Sequence, residues 1–164
     1  ERAELDGYFE YLKHTNFRAY AEEQGVSVEE LIARAMAAYH EGNGLCQEKR
    51  YEEAIEKYSE AIDEVPRFSE AHDNRALTLM DLGRFREAAD GFTQSLQVEP
   101  DNPVALCSLG ECHLKLGKAD EAVRILRECV SRWPDKPRHR EFLARAEALG
   151  NHPAGERKPW WRFW

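Results

Sequence analysis

Thiols, imidazoles and carboxylates are the groups of this chain able to do chemistry, and their spacing decides what chemistry is open to them. Four cysteines (Cys46, Cys107, Cys112, Cys129) and six histidines (His14, His40, His72, His113, His139, His152) are scattered along the 164 residues. No two cysteines form a CxxC pair, the spacing that brings two thiolates to one metal or one redox bond. His40 with Cys46, and Cys112 with His113, lie near each other in sequence, but successive helical residues point about 100° apart and neither pair reads as a site. GxGxxG, GxxxxGK[ST], HExxH and GxSxG are all absent. The expectation is a chain with no catalytic residue, no metal and no cofactor. Its glutamates read as solvated or paired at i,i+4, as Glu53 with Lys57. A net charge of −8 disfavours nucleic acid, whose phosphates need basic clusters.

The elements that carry these groups announce themselves by a period. Pro66, Pro100 and Pro134 are 34 residues apart. The same interval separates Ala54, Ala88 and Ala122, each preceded by a glutamate, then Tyr58, Phe92 and Leu126, and finally Ala61, Ser95 and Cys129. A fixed interval of this length is the mark of stacked supersecondary units. Small residues at fixed places let paired helices approach to roughly 8–10 Å, and the bulky residue of each unit fills the gap. Gly83 and Gly117 stand where a helix stops and reverses, a natural left-handed cap. The periodic prolines forbid continuation of the helix before them. Asn102 followed by Pro103 reads as an N-cap with proline at the first helical position.

These positions resemble the tetratricopeptide repeat family over about 102 of the 164 residues. The matched repeats are 35–68, 69–102 and 103–136, with Gly42, Ala76 and Gly110 at the eighth position, where the family keeps a small residue. Departures are Ala38, His72 and Leu106 at the fourth position, where tryptophan is usual, and the decay from Tyr51 through Phe85 to Ala119 at the seventeenth. The resemblance implies that the first helix of each repeat lines a concave groove. It assigns to that groove Tyr39, His40 and Asn43 of the first repeat, Glu70, Asp73, Asn74, Leu77, Met80 and Asp81 of the second, and Cys107, Glu111 and Leu114 of the third. Apolar contacts beside acids suit a protein or peptide partner with basic and apolar side chains. Chaperone-binding members resemble this chain at Asn43 and Asn74, which there hold a terminal carboxylate. Those members also need cations where this chain has Tyr39, Val104 and Ser108, so a chaperone-tail receptor is not expected.

Two flanks remain. Residues 1–34 read as an N-terminal helical segment, whose apolar pattern of Leu5, Tyr8, Phe9, Leu12, Phe17 and Tyr20 predicts one or two short helices broken near Thr15 and Asn16. Within it, Ser27 and Glu30 make a capping box, from which a helix should run through Leu31, Ala35 and Ala38 into the first repeat. Residues 137–150 place Phe142, Leu143, Ala146 and Leu149 at helical spacing as a C-terminal capping helix with a polar outer face. The first residue is Glu1 rather than methionine, so a trimmed or processed start is expected.

The tail, 151–164, ends in Pro159, Trp160, Trp161, Arg162, Phe163 and Trp164. Burying one tryptophan removes on the order of 150–250 Å² from water, so a receiver for these rings is expected. Its own solenoid or a second copy, a separate protein, and a membrane interface are the alternatives. The body's charge of −10 against +2 from Gly150 onward favours docking over anionic lipid.

The expected fold is all-α: a right-handed α-α superhelix (solenoid) of three tetratricopeptide hairpins between the two helical flanks. The expected function is a non-catalytic protein–protein interaction module, an adaptor or assembly scaffold, in the cytoplasm, where free thiols stay reduced. The alternative is a peripheral membrane protein, or a self-associating oligomer, held by the tryptophan-rich tail. No stretch approaches the roughly 20 apolar residues that cross a bilayer.

Overall fold

The computed structural model describes residues 17–150. The described residues are helical wherever they are regular and contain no strand. The chain divides into two compact units at residues 68 and 69. Residues 1–16 of the expected N-terminal segment 1–34, and the tail 151–164 with Trp160, Trp161, Arg162, Phe163 and Trp164, lie outside the described residues.

The first unit holds α1 (Phe17–Gln24), α2 (Val28–Gln47) and α3 (Tyr51–Glu64). Gly25 closes α1 at φ 68°, with the Val26 amide donating back to the Ala21 carbonyl. Ser27 then starts α2 through the expected capping box: its Oγ accepts from the Glu30 amide at 3.1 Å, and its own amide donates to Glu30 Oε2 at 3.0 Å. Nothing interrupts α2 between residues 34 and 35, so the start of the matched repeat falls inside one continuous helix. The packing of α2 on α3 depends on a notch: a Cβ on Gly42 would meet Tyr58 Cε1 at 2.8 Å. Tyr58 and Phe68 are both almost fully buried, and the Tyr39 ring lies 6.0 Å from the first and 5.0 Å from the second. Offset rings at this spacing add about 0.5–1.5 kcal/mol per pair to the area they remove from water.

The second unit holds α4 (Ser69–Asp81), α5 (Phe85–Val98), α6 (Pro103–Lys115), α7 (Ala119–Arg132) and α8 (Pro137–Gly150), each packed on the next. The notch recurs here: a Cβ on Gly110 would lie 2.6 Å from Leu126 Cγ. Gly83 and Gly117 take φ 74° and 73° at the ends of α4 and α6, as their positions imply. Arg84 and Lys118 complete those caps by donating six residues' span back to Leu79 and His113 carbonyls. At the corresponding end of α2 the same geometry is held by Lys49, at φ 61°, where glycine would be unstrained.

Asn102 caps α6 as its position requires, its Oδ1 accepting from the Val104 and Ala105 amides at 3.0 and 3.1 Å. Arg132, near the end of α7, bonds Asp101 and the Pro100 carbonyl, tying the loop before α6 to the helix beyond it. The core gathers Leu106, Cys107 and Leu114 from α6, Ala122, Ile125, Leu126 and Cys129 from α7, and Phe142 and Ala146 from α8. The second helices α3 and α5 start without a side-chain cap; Arg50 and Arg84 instead grip Glu53 and Glu87 two-handed, each with a 2.7 Å and a 2.5 Å bond. Both pairs are exposed, where such bridges contribute little.

Candidate functional site

A single stripe of α4 carries six of the residues that sequence assigns to a groove. Glu70, Asp73, Asn74, Leu77, Met80 and Asp81 fall at intervals of three and four, which places them on one helical face. Exposure varies along the stripe. Asp73 is only 8% exposed, Glu70, Asn74 and Met80 are half-buried, and Leu77 at 36% and Asp81 are exposed. An exposed leucine beside a half-buried methionine, three residues on, offers an apolar contact about one turn long, flanked by acids.

Asp73 is structural as well as acidic. Its Oδ2 accepts from Asn102 Nδ2 at 2.6 Å, joining α4 to the cap of α6. Burial raises the Asp73 pKa above the ordinary carboxylate value; the hydrogen bond from Asn102 opposes this, and Glu70 adds to it. Glu99 is raised too, first by burial and then by Glu70. Glu70, Asp73 and Glu99 thus lie close enough to disfavour one another's ionisation.

The other assigned positions divide. Among those of α6, Glu111 is half-buried and pairs with Arg138 at 3.4 Å. Cys107 and Leu114 are buried in the core, because α8 brings Phe142 and Ala146 onto the same cluster. They pack rather than present. In the first unit His40 is exposed, while Tyr39 and Asn43 are half-buried. Asn43 Oδ1 accepts from the Tyr58 hydroxyl at 2.8 Å, so its side chain is braced by the hairpin core.

The structure also assembles three groups that sequence spacing left apart. Cys107 of α6, Cys129 of α7 and His139 of α8 are all buried, and their ligand atoms lie within 4.8 Å of one another. Cys129 Sγ is 3.3 Å from His139 Nδ1. Cys107 is raised well above the ordinary thiol value by its hydrogen bond to Cys129 and by burial, and Cys129 is lowered by the same bond. Burial pushes His139 down, helped by Lys136. Cys112, buried apart from them, is pushed up to about 12 by burial. All four cysteines are free thiols. No local motif marks the cluster; only the 22-residue offset of Cys107 and Cys129 within one helical pair signals it.

Known proteins resemble the chain over its helical part. Family models described as "Tetratricopeptide repeat" and "TPR repeat" match residues 79–146 and 42–83. Human DnaJ homolog subfamily C member 7 is 39% identical over 90 residues, which is 55% of this chain and 18% of that protein. The chain therefore spans under a fifth of the length of this curated relative. The first tetratricopeptide domain of Spaghetti (RPAP3), solved with the HSP90 peptide SRMEEVD, superposes with a TM-score of 0.69 at 21% identity, covering 73% of this chain and 96% of that one. The second such domain of human RPAP3, solved with the HSP70 peptide SGPTIEEVD, gives a TM-score of 0.67 at 24% identity, covering 70% and 96%. Among the described residues, no helix is long and apolar enough to cross a membrane.

Proposed function

Because the chain belongs to the tetratricopeptide repeat family, we propose that it is a non-catalytic adaptor that binds a peptide segment of another protein along the α4 stripe. The observation that carries this reading is the juxtaposition of exposed Leu77 and half-buried Met80 with Glu70, Asn74 and Asp81 on one helical face. The partner segment that fits has apolar side chains for Leu77 and Met80 and lysine or arginine for the acids. Repeat boundaries at 35–68, 69–102 and 103–136 belong to the same reading, as does a cytoplasmic location, where four free thiols persist.

The peptides bound by the two structural neighbours end in EEVD. A chain with Tyr39, Val104 and Ser108 at the places where cations hold such a terminus has only neutral groups for it. Glu70, Asp73 and Glu99 oppose it further, since like charge at short range costs binding energy. The proposal therefore separates this chain from those neighbours by partner charge.

Fluorescence anisotropy tests it with two labelled peptides, one basic and apolar, one ending in EEVD. The basic peptide should bind more tightly by about tenfold or more, each tenfold being 1.4 kcal/mol. Leu77→Glu together with Asp81→Lys, both at exposed positions, should abolish that preference while leaving the circular dichroism spectrum unchanged. Tighter binding of the EEVD peptide would overturn the partner assignment.

A further inference from the structure

We propose that Cys107, Cys129 and His139 form a zinc(II) site that fastens α8 to the α6–α7 pair, with two thiolates and one imidazole as the protein ligands. The inference is independent of the peptide groove. Its first support is convergence. Three helices each contribute one ligand, and the three ligand atoms lie within 4.8 Å of one another.

The dimensions suit the ion. Tetrahedral zinc has Zn–S near 2.3 Å and Zn–N near 2.0–2.1 Å, so its ligand atoms sit roughly 3.5–3.8 Å apart. The Cys129–His139 separation of 3.3 Å is already close to this, and the widest separation needs to close by about 1 Å. Side-chain rotation at Cys107, whose residue is 6% exposed, is a modest movement on that scale. A water molecule would complete the tetrahedron; Cys107 and His139 keep a small exposed fraction, whereas Cys129 is fully buried.

The donor set selects the metal. Thiolates with imidazole are soft to borderline ligands that take zinc and reject calcium and magnesium, which need hard oxygens.

Binding displaces both thiol protons, forms two Zn–S bonds and one Zn–N bond, and changes no oxidation state. The metal would cross-link residues 22 and 32 positions apart, holding the terminal helix over Leu106 and Leu114.

The full chain, reduced and stripped with chelator, is titrated with cobalt(II) as a spectroscopic probe and then with zinc(II). The expected result is one equivalent of cobalt with thiolate charge-transfer absorption, displaced by zinc, and a rise in thermal midpoint on adding zinc. Cys129→Ser and His139→Asn should each weaken binding by about 100-fold or more, beyond the cost of losing an outer-shell partner alone. Cys46→Ala should change nothing. A wild-type chain giving no thiolate–cobalt absorption overturns the proposal, whatever the variants do. So does affinity that survives both substitutions, or a Cys107–Cys129 disulfide in freshly purified protein that leaves no metal bound after reduction.

Discussion

Replacing Gly110 with alanine should destabilise the protein, although alanine is the better helix former. In an exposed helix interior the change would gain about 0.8–1.0 kcal/mol from propensity. Here the new Cβ would sit 2.6 Å from Leu126 Cγ and 2.7 Å from Leu126 Cδ2. Leu126 is fully buried among Leu106, Ile125 and Phe142 and has nowhere open to move. Overpacking of this kind costs about 1–3 kcal/mol, so the net loss should be about 1 kcal/mol. Leu126→Ala alone should cost about 2–5 kcal/mol by leaving a cavity. In that background Gly110→Ala meets no branch and partly fills the space, so its effect should reverse and approach the propensity gain. The two substitutions should therefore couple by about 2 kcal/mol, a size seen only for residues in contact. Urea unfolding of the four proteins, reduced and free of added metal and followed by far-ultraviolet circular dichroism, measures this directly. A stabilising Gly110→Ala in the wild-type background, or the same effect in both backgrounds, would refute the notch as the reason for glycine.

Three further outcomes follow from the same geometry. Lys49→Gly should stabilise by about 1 kcal/mol, because a side chain at φ 61° is strained where glycine is not; equilibrium unfolding checks the sign. Asn102→Ala should cost about 2–3 kcal/mol, combining a lost N-cap with a buried Asp73 oxygen left without its amide donor, and Asn102→Ser, which can still cap, should recover about 1 kcal/mol of that. Asp73 holds its proton more tightly folded than unfolded, so the folded state binds more protons between those two pKa values. Its contribution to stability falls as pH rises through that window, and Asp73→Asn should gain on the wild type in parallel melts taken at increasing pH from the ordinary carboxylate value of about 4 upward. An unchanged difference across that range would contradict a raised Asp73.

Local signals were legible where a residue's own backbone chemistry decided the outcome. Ser27 with Glu30, Asn102 with Pro103, and Gly83 with Gly117 each mark a helix end in the structure as they do in the sequence. The all-helical fold was legible too, because small and large residues alternate at a fixed interval and meet as Gly42 with Tyr58 and Gly110 with Leu126. Lys49 was missed, since nothing about lysine announces a left-handed conformation that its neighbours impose. Cys107 and Leu114 sit at family groove positions, yet α8 packs onto the same cluster and covers them. Repeat periodicity says nothing about what the last helix covers. The cysteine–histidine cluster was invisible for a related reason: its members come from three helices, and ligand spacing along the chain detects only sites built in one or two. Partner chemistry remained the part furthest from the sequence, because residues that pack a solenoid carry no information about what its exposed stripe holds.

The central claim is that the exposed face of α4 receives the partner. Titrating a basic, apolar peptide into isotope-labelled protein and following backbone amide shifts tests it residue by residue. Saturable changes should appear at Glu70, Asn74, Leu77, Met80 and Asp81, while Ala88, Ala122 and other buried notch positions stay still. Saturable changes confined to other helices, with the α4 amides unmoved, would contradict it.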